Sequence, residues 1–332
     1  MFTASLGIFL FGLTAALAGG YVGAAIGANY AFALTGFAVL ASWGIFIATD
    51  STAAFDYLAF GPFMGPHIAF AGGVAAAAYA AKKKYLPSGM DVSSPLAGLG
   101  RPSVMMVGAL FGAGGYLVQI GISQIPWFGT HTDSVALTVF ISAVVARLMF
   151  GGSLLGRDKF NESPSFLGRI AGSESAVWLK YQAKPSQYLP MGVFFGILAG
   201  GASIALATFF PGAASQAQTF TFGISAVIVL FLILGHDMPV QHHITISAGL
   251  AAVVYMPILA GQGFAWGDWD SSTWLVAVGA LLIAAVAGML AAFLGEFQAK
   301  LFYIRGNTHI DPPAMAIWIS NTIIVSSAAL FS

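Results

Sequence analysis

Cysteine is absent from the 332 residues of this chain. Disulfides, thiolate metal sites and iron–sulfur clusters are thereby excluded, although the redox compartment is left open. Charge is nearly as scarce. Twelve lysines and arginines stand against 12 acidic residues, together 7% of the chain, where soluble domains carry about 25%. Zero net charge says nothing about partners, but no basic stripe points to nucleic acid, and no nucleic-acid partner is expected. No HExxH motif occurs, and no two histidines are spaced i,i+3 or i,i+4 as a helical metal pair would be. The opening MFTASLGIFLFG has no positive n-region, so it is expected to start the first membrane helix rather than to be a signal peptide.

What is plentiful is hydrocarbon. The chain is 58% hydrophobic and holds 41 glycines, and its apolar runs are long enough to cross a hydrocarbon layer about 30 Å thick as helix. A membrane β-barrel would show short alternating segments instead. The expected fold is an all-α polytopic membrane protein whose main partner is the lipid bilayer. About ten transmembrane helices are expected, at 4–27, 29–49, 57–81, 102–126, 133–151, 188–210, 217–235, 241–262, 272–303 and 312–331.

The positive charges orient these spans. Lys82, Lys83, Lys84 and Arg101 follow the third span. Arg147, Arg157, Lys159, Arg169, Lys180 and Lys184 lie at or after the end of the fifth, and Lys300 and Arg305 lie between the ninth and tenth. With ten spans all twelve fall on one face, which the positive-inside rule makes cytoplasmic. Both termini are then expected outside, in a cell membrane expected to be a bacterial inner membrane. Arg147 is expected to snorkel to the interface, and Glu296 with Lys300 to form a local i,i+4 pair.

The chain also resembles itself. Thr130-His131-Thr132-Asp133 recurs as Thr308-His309-Ile310-Asp311, and His67-Ile68 recurs as His243-Ile244 at almost the same offset. The opening spans, GIFLFGLTAALAGG and GVFFGILAGG, match as well. Five spans per half is an odd number, so the halves are expected to be inverted repeats, 1–151 and 188–332. A cytoplasmic connector, 152–187, joins them, and ESAVWLKYQAK within it could form a short interfacial helix.

All six histidines fall in four polar motifs, two per half: GPFMGPHIAF, GTHTDSV, GHDMPVQHHITIS and NTHIDPPA. Asp133 and Asp311 read as helix N-caps, the latter followed by Pro312-Pro313. Capping leaves the preceding histidines unexplained. Gly61, Pro62, Gly65 and Pro66 interrupt the third span near His67, and Gly235 and Pro239 precede His242-His243. Kinked helices with bonded histidines would look the same. Paired interruptions in corresponding places, however, are the sequence mark of a transport site, and ionisable groups at membrane depth are costly unless functional.

The expected function is membrane transport without enzymatic chemistry, by a channel-like permease or a secondary transporter. Its cargo would be a small ion or polar solute, with a divalent cation or proton coupling favoured. The expected pathway runs between the halves, lined by His67, Thr130, His131, Asp133, Asp237, His242, His243, Thr308, His309 and Asp311. Of these, His67, His131, Asp133, His243, His309 and Asp311 could hold a bound metal ion. The alternative is a membrane enzyme or redox subunit that uses the same histidines for a metal or haem. The ladders Gly19/Gly23/Gly27 and Gly192/Gly196/Gly200 allow close helix packing, within the chain or in a homo-oligomer.

Overall fold

The computed structural model describes residues 6–155 and 177–331. Arg157, Lys159, Arg169 and the start of ESAVWLKYQAK lie outside the described residues. Within them ten α-helices of 13 residues or more follow one another, and no β-strand is present. In the first half these are α1 (Leu6–Ile26), α2 (Ala28–Thr49), α3 (Ala69–Lys82), α4 (Pro102–Ser123) and α5 (Ser134–Ala146), which continues as a π-turn through Gly151. In the second half they are α6 (Pro185–Phe209), α7 (Gln218–Ile233), α8 (His242–Ala260), α9 (Ser271–Gln298) and α10 (Pro312–Ala328), with α9 extended by a π-turn to Tyr303.

Among the described residues seven helices are long and apolar enough to cross a membrane: α1, α2, α4, α5 with its extension, α6, α8 and α9. The molecule is an all-helical membrane protein. The other three, α3, α7 and α10, have 14, 16 and 17 residues.

The shortness of α3 has a local cause. The expected span 57–81 is not continuous, because a π-turn at Phe55–Ala59 gives way to the two Gly-Pro steps before the helix starts at Ala69. Proline brings no N–H and cannot sit inside a helix without losing a bond. The freed backbone is satisfied by protein: Gly65 N–H donates to Gly61 O at 3.1 Å, Ala69 N–H to Gly65 O at 3.0 Å, and the Thr35 hydroxyl donates to Met64 O. Irregular backbone at membrane depth requires this. The second break, 235–241, is held from the connector. The Gln182 side-chain amide donates to Val240 O at 3.1 Å and accepts from Val240 N–H at 3.0 Å, and Tyr181 donates to Met238 O at 2.7 Å. Of ESAVWLKYQAK the described residues, 177–184, form turns and bends and not the short helix that segment could have made.

Packing follows the same scheme in both halves. Helix α1 packs on α3 and α4, which pack on each other, and α6 packs likewise on α8 and α9. Glycine makes these contacts close. A Cβ at Gly19 or Gly23 would stand 2.3 or 1.9 Å from the Phe63 or Ala69 carbonyl oxygen, and one at Gly192 or Gly196 2.8 Å from Gly288 or Ala284 oxygen. Both ladders are thus engaged inside the chain. The halves meet through like elements, α2 against α7 and α5 against α10. One large apolar core, including Phe32, Trp43, Val139, Phe222, Ile246 and Ile317, spans both.

Two charged side chains differ from expectation. Arg147 does not snorkel; it is fully buried. Its Nε donates to Thr308 Oγ1 at 3.0 Å, and its other nitrogens to Phe302 O at 2.6 Å, Leu154 O at 3.1 Å and Thr308 O. The turn that ends α9 and the loop after it offer the Phe302 and Thr308 carbonyls, which a planar guanidinium fork can reach together. Glu296 is 3% exposed and its Oε1 has no hydrogen-bond partner, so the expected pair with Lys300 is not formed through that oxygen.

Candidate functional site

Between the halves lies a cavity of about 530 Å³. One face of α10 runs along it, with Asp311, Ala314, Ile317, Asn321 and Val325 at helical i,i+3/i+4 spacing. At 1.5 Å per residue that stripe is about 21 Å long, roughly two-thirds of a hydrocarbon layer. Facing it are His242, Ile246 and Leu250 of α8, Phe32 of α2, Phe70 of α3, Phe222 of α7 and Val139 of α5.

Polar groups gather at the two ends. At one end Asp133 caps α5, its Oδ1 accepting from Ala136 N–H at 2.9 Å. Its Oδ2 accepts from Asn321 Nδ2 at 2.9 Å, and Asn321 Oδ1 accepts from Ser247 at 2.8 Å, which ties α5, α10 and α8 together. The Thr132 and Thr322 hydroxyls meet at 2.9 Å beside them. At the other end Asp311 caps α10, Oδ2 accepting from Ala314 N–H at 2.8 Å while Oδ1 lies 3.2 Å from His309 Nε2. The His309 ring stands edge-on to Phe70 and Tyr303, and its backbone N–H donates to Gly89 O. His242 packs against Phe32 at 4.6 Å between ring centres. His242 and His309 are each 6% exposed, and the Nδ1 of each lacks a hydrogen-bond partner. Trp178 and Leu179 of the connector join this end of the wall.

The residues singled out in the sequence therefore separate. Asp133, His242, His309 and Asp311 line the cavity; His67, Thr130, His131, Asp237, His243 and Thr308 are not on its wall. His67 and His243, each 1% exposed, are packed among helices behind it, His67 by its carbonyl against Gly115 and His243 by its ring against Gly295. Thr308 is buried on Arg147. His131 lies in the single turn Phe128–His131, stacked on Trp127 at 4.6 Å with its Nδ1 2.7 Å from Trp127 O. Asp237 is exposed in the second break. The two THxD motifs are thus unlike: only the second brings its histidine to its aspartate. No group of three histidine, aspartate or glutamate side chains suited to a metal ion occurs among the described residues.

The sequence reading missed Asn321, Ser247, Asn29, Tyr303 and Trp178. Asn321 was the findable one, a lone amide in the last apolar run, IWISNTIIV. Nothing in sequence marked Trp178 as part of the wall, because its place depends on how the connector folds back.

Searches of curated proteins and of solved structures each returned no match. The sequence model described as a family of unknown function, DUF7973, matches residues 3–167 and 168–331, two segments that meet inside the connector. Matched along nearly its whole length, the chain belongs to the DUF7973 family.

Proposed function

We propose that this protein is a transport protein, a channel-like permease or a secondary transporter, that moves a small ion or polar solute through the cavity between its halves. One observation carries the reading: a cavity follows α10, with the aspartates of the two THxD motifs on its wall about 15 Å apart by helical rise and apolar side chains between them. A catalytic pocket needs one reactive end; a pathway needs two. Among the described residues the wall holds two aspartates and no lysine or arginine, which favours a cation or a proton-coupled solute over an anion.

The proposed architecture is ten membrane-crossing helices in two inverted five-helix repeats. The matching packing of α1–α3–α4 and α6–α8–α9 supports it, as do the like-with-like contacts of α2 with α7 and α5 with α10. The division of the family match between the halves points the same way. In this arrangement α3, α7 and α10 are short because broken or looped backbone completes their crossings. The lysine- and arginine-bearing loops face the cytoplasm of a bacterial inner membrane and both termini lie outside. The rival reading, a metal or haem enzyme, has less support, since the six histidines are dispersed over cavity, packing and surface.

Proteoliposome uptake over divalent cations, small anions, amines and urea-like solutes tests the proposal. Flux of at least one solute is expected, lowered about tenfold or more by His309→Ala or Asp311→Asn, a loss of about 1.4 kcal/mol or more, and unchanged by His131→Ala. Equal flux in all three variants would exclude the cavity as the pathway.

A further inference from the structure

The cavity's wall is specific enough to name a class of ligand. Its two carboxylates sit apart along the wall: Asp311 is the N-cap of α10 and Asp133 is bonded to Asn321 of the same helix. By helical rise the two ends are about 15 Å apart. Among the described residues no lysine or arginine lines the space between them. Each carboxylate caps a helix N-terminus, whose dipole offsets only part of a full charge. The middle is hydrocarbon and aromatic, with Phe32, Phe70, Phe222, Ile246 and Ile317. At the Asp311 end two imidazoles more than nine-tenths buried, His242 and His309, stand on the wall with Nδ1 atoms that have no partner. His67 and His243 also have unpartnered Nδ1 atoms, so what distinguishes His242 and His309 is that they stand on the cavity wall, where a ligand could satisfy them.

A bare metal ion fits this poorly. The middle would strip its water and return no oxygen, and no three-ligand group stands ready among the described residues. A neutral solute would bring no positive charge to either carboxylate, although each oxygen already has a partner within the chain. We infer that the cavity binds a linear organic cation with an ammonium group at each end, a protonated long-chain diamine or polyamine. One ammonium donates to Asp311 and to a free imidazole nitrogen, and the other to Asp133. The methylene chain lies along the phenylalanines, whose ring faces also favour nearby cations. The inference rests on the cavity being the solute pathway only for transport; binding can be read without it.

The test uses purified full-length protein in detergent, followed by intrinsic tryptophan fluorescence on heating. The probes are spermidine, straight diamines of increasing chain length, the diols of matching length, and magnesium and manganese salts. Saturable stabilisation by spermidine and the longer diamines is expected, with none from the diols. Asn also caps helices, so Asp311→Asn and Asp133→Asn keep the fold while removing charge; each should weaken diamine binding about tenfold or more. Asp50→Asn, exposed and away from the cavity, should not. Stabilisation by the diols equal to that by the diamines would overturn the assignment, as would a response to the metal salts alone. Diamine binding without flux in proteoliposomes would uphold the ligand class and sink the transport reading. Flux of another solute with no diamine binding would do the reverse.

Discussion

Arg147 shows how much one side chain can organise in a chain with so few charges. It ends α5 in the first half, yet all its hydrogen bonds but one go to the second half, to Phe302 and to both the carbonyl and the hydroxyl of Thr308. Thr308 immediately precedes His309, so the guanidinium holds the loop that brings the imidazole to Asp311. Each hydrogen bond to a charged group is worth about 1.5–3 kcal/mol. Arg147→Met should therefore lower unfolding stability in detergent by about 3 kcal/mol or more. Arg147→Lys should recover only part of the loss, because an ammonium lacks the planar fork that reaches several carbonyls at once. Unfolding curves that overlay the parent for both variants would remove Arg147 from this role. The sequence placed Arg147 at a helix end and could not place it further. Position along the chain says that a cation lies near an interface; only the partner loop, 155 residues away from it at Phe302, says that it faces inward.

Among the helices, glycine decides where backbones touch. A Cβ at Gly23 would meet Ala69 O at 1.9 Å, whereas nothing lies within 4 Å of one at Gly44. Gly23→Ala should prevent α1 from seating against the start of α3 and should lower the yield of monodisperse protein sharply. Gly44→Ala, within α2, should leave folding unchanged or slightly improved, since alanine is favoured over glycine in a helix by up to about 1 kcal/mol. Size-exclusion profiles and melting temperatures of the pair check this. Element by element, the long apolar runs and the Gly-Pro breaks were legible in sequence, because length and missing N–H groups are local properties. The roles of His67 and His243 were not. Both recur faithfully, and both lie off the cavity wall, packed against Gly115 and Gly295. Repetition marks a constraint without saying which one.

At the scale of the whole molecule, the wall is assembled from both halves, and the lack of cysteine turns into an experimental advantage. A single cysteine can be introduced at any position against a silent background. Ile317→Cys, in the middle of the α10 stripe, should react with a water-soluble thiosulfonate reagent. Ile323→Cys, 47% exposed on the outer surface of the same helix, should react far more slowly, because a thiol facing lipid does not ionise. Equal labelling of the two would mean that the cavity is closed to water. That two halves carry matching motifs was visible from the sequence, and so was the idea that they face each other. Which copy keeps its histidine on its aspartate was not, since Trp127 captures His131 through a turn whose geometry the residue string does not announce.

The Gln182 clamp on Val240 has a further consequence. It joins the connector to the backbone two residues before His242, one of the cavity's two imidazoles. A solute that displaces His242 must work against those two bonds, so occupancy of the cavity and the set of the connector are thermodynamically linked. Linkage is reciprocal. On the proposed reading, whatever grips or releases 177–184 would change the affinity of the cavity by the same factor by which a bound solute changes that grip.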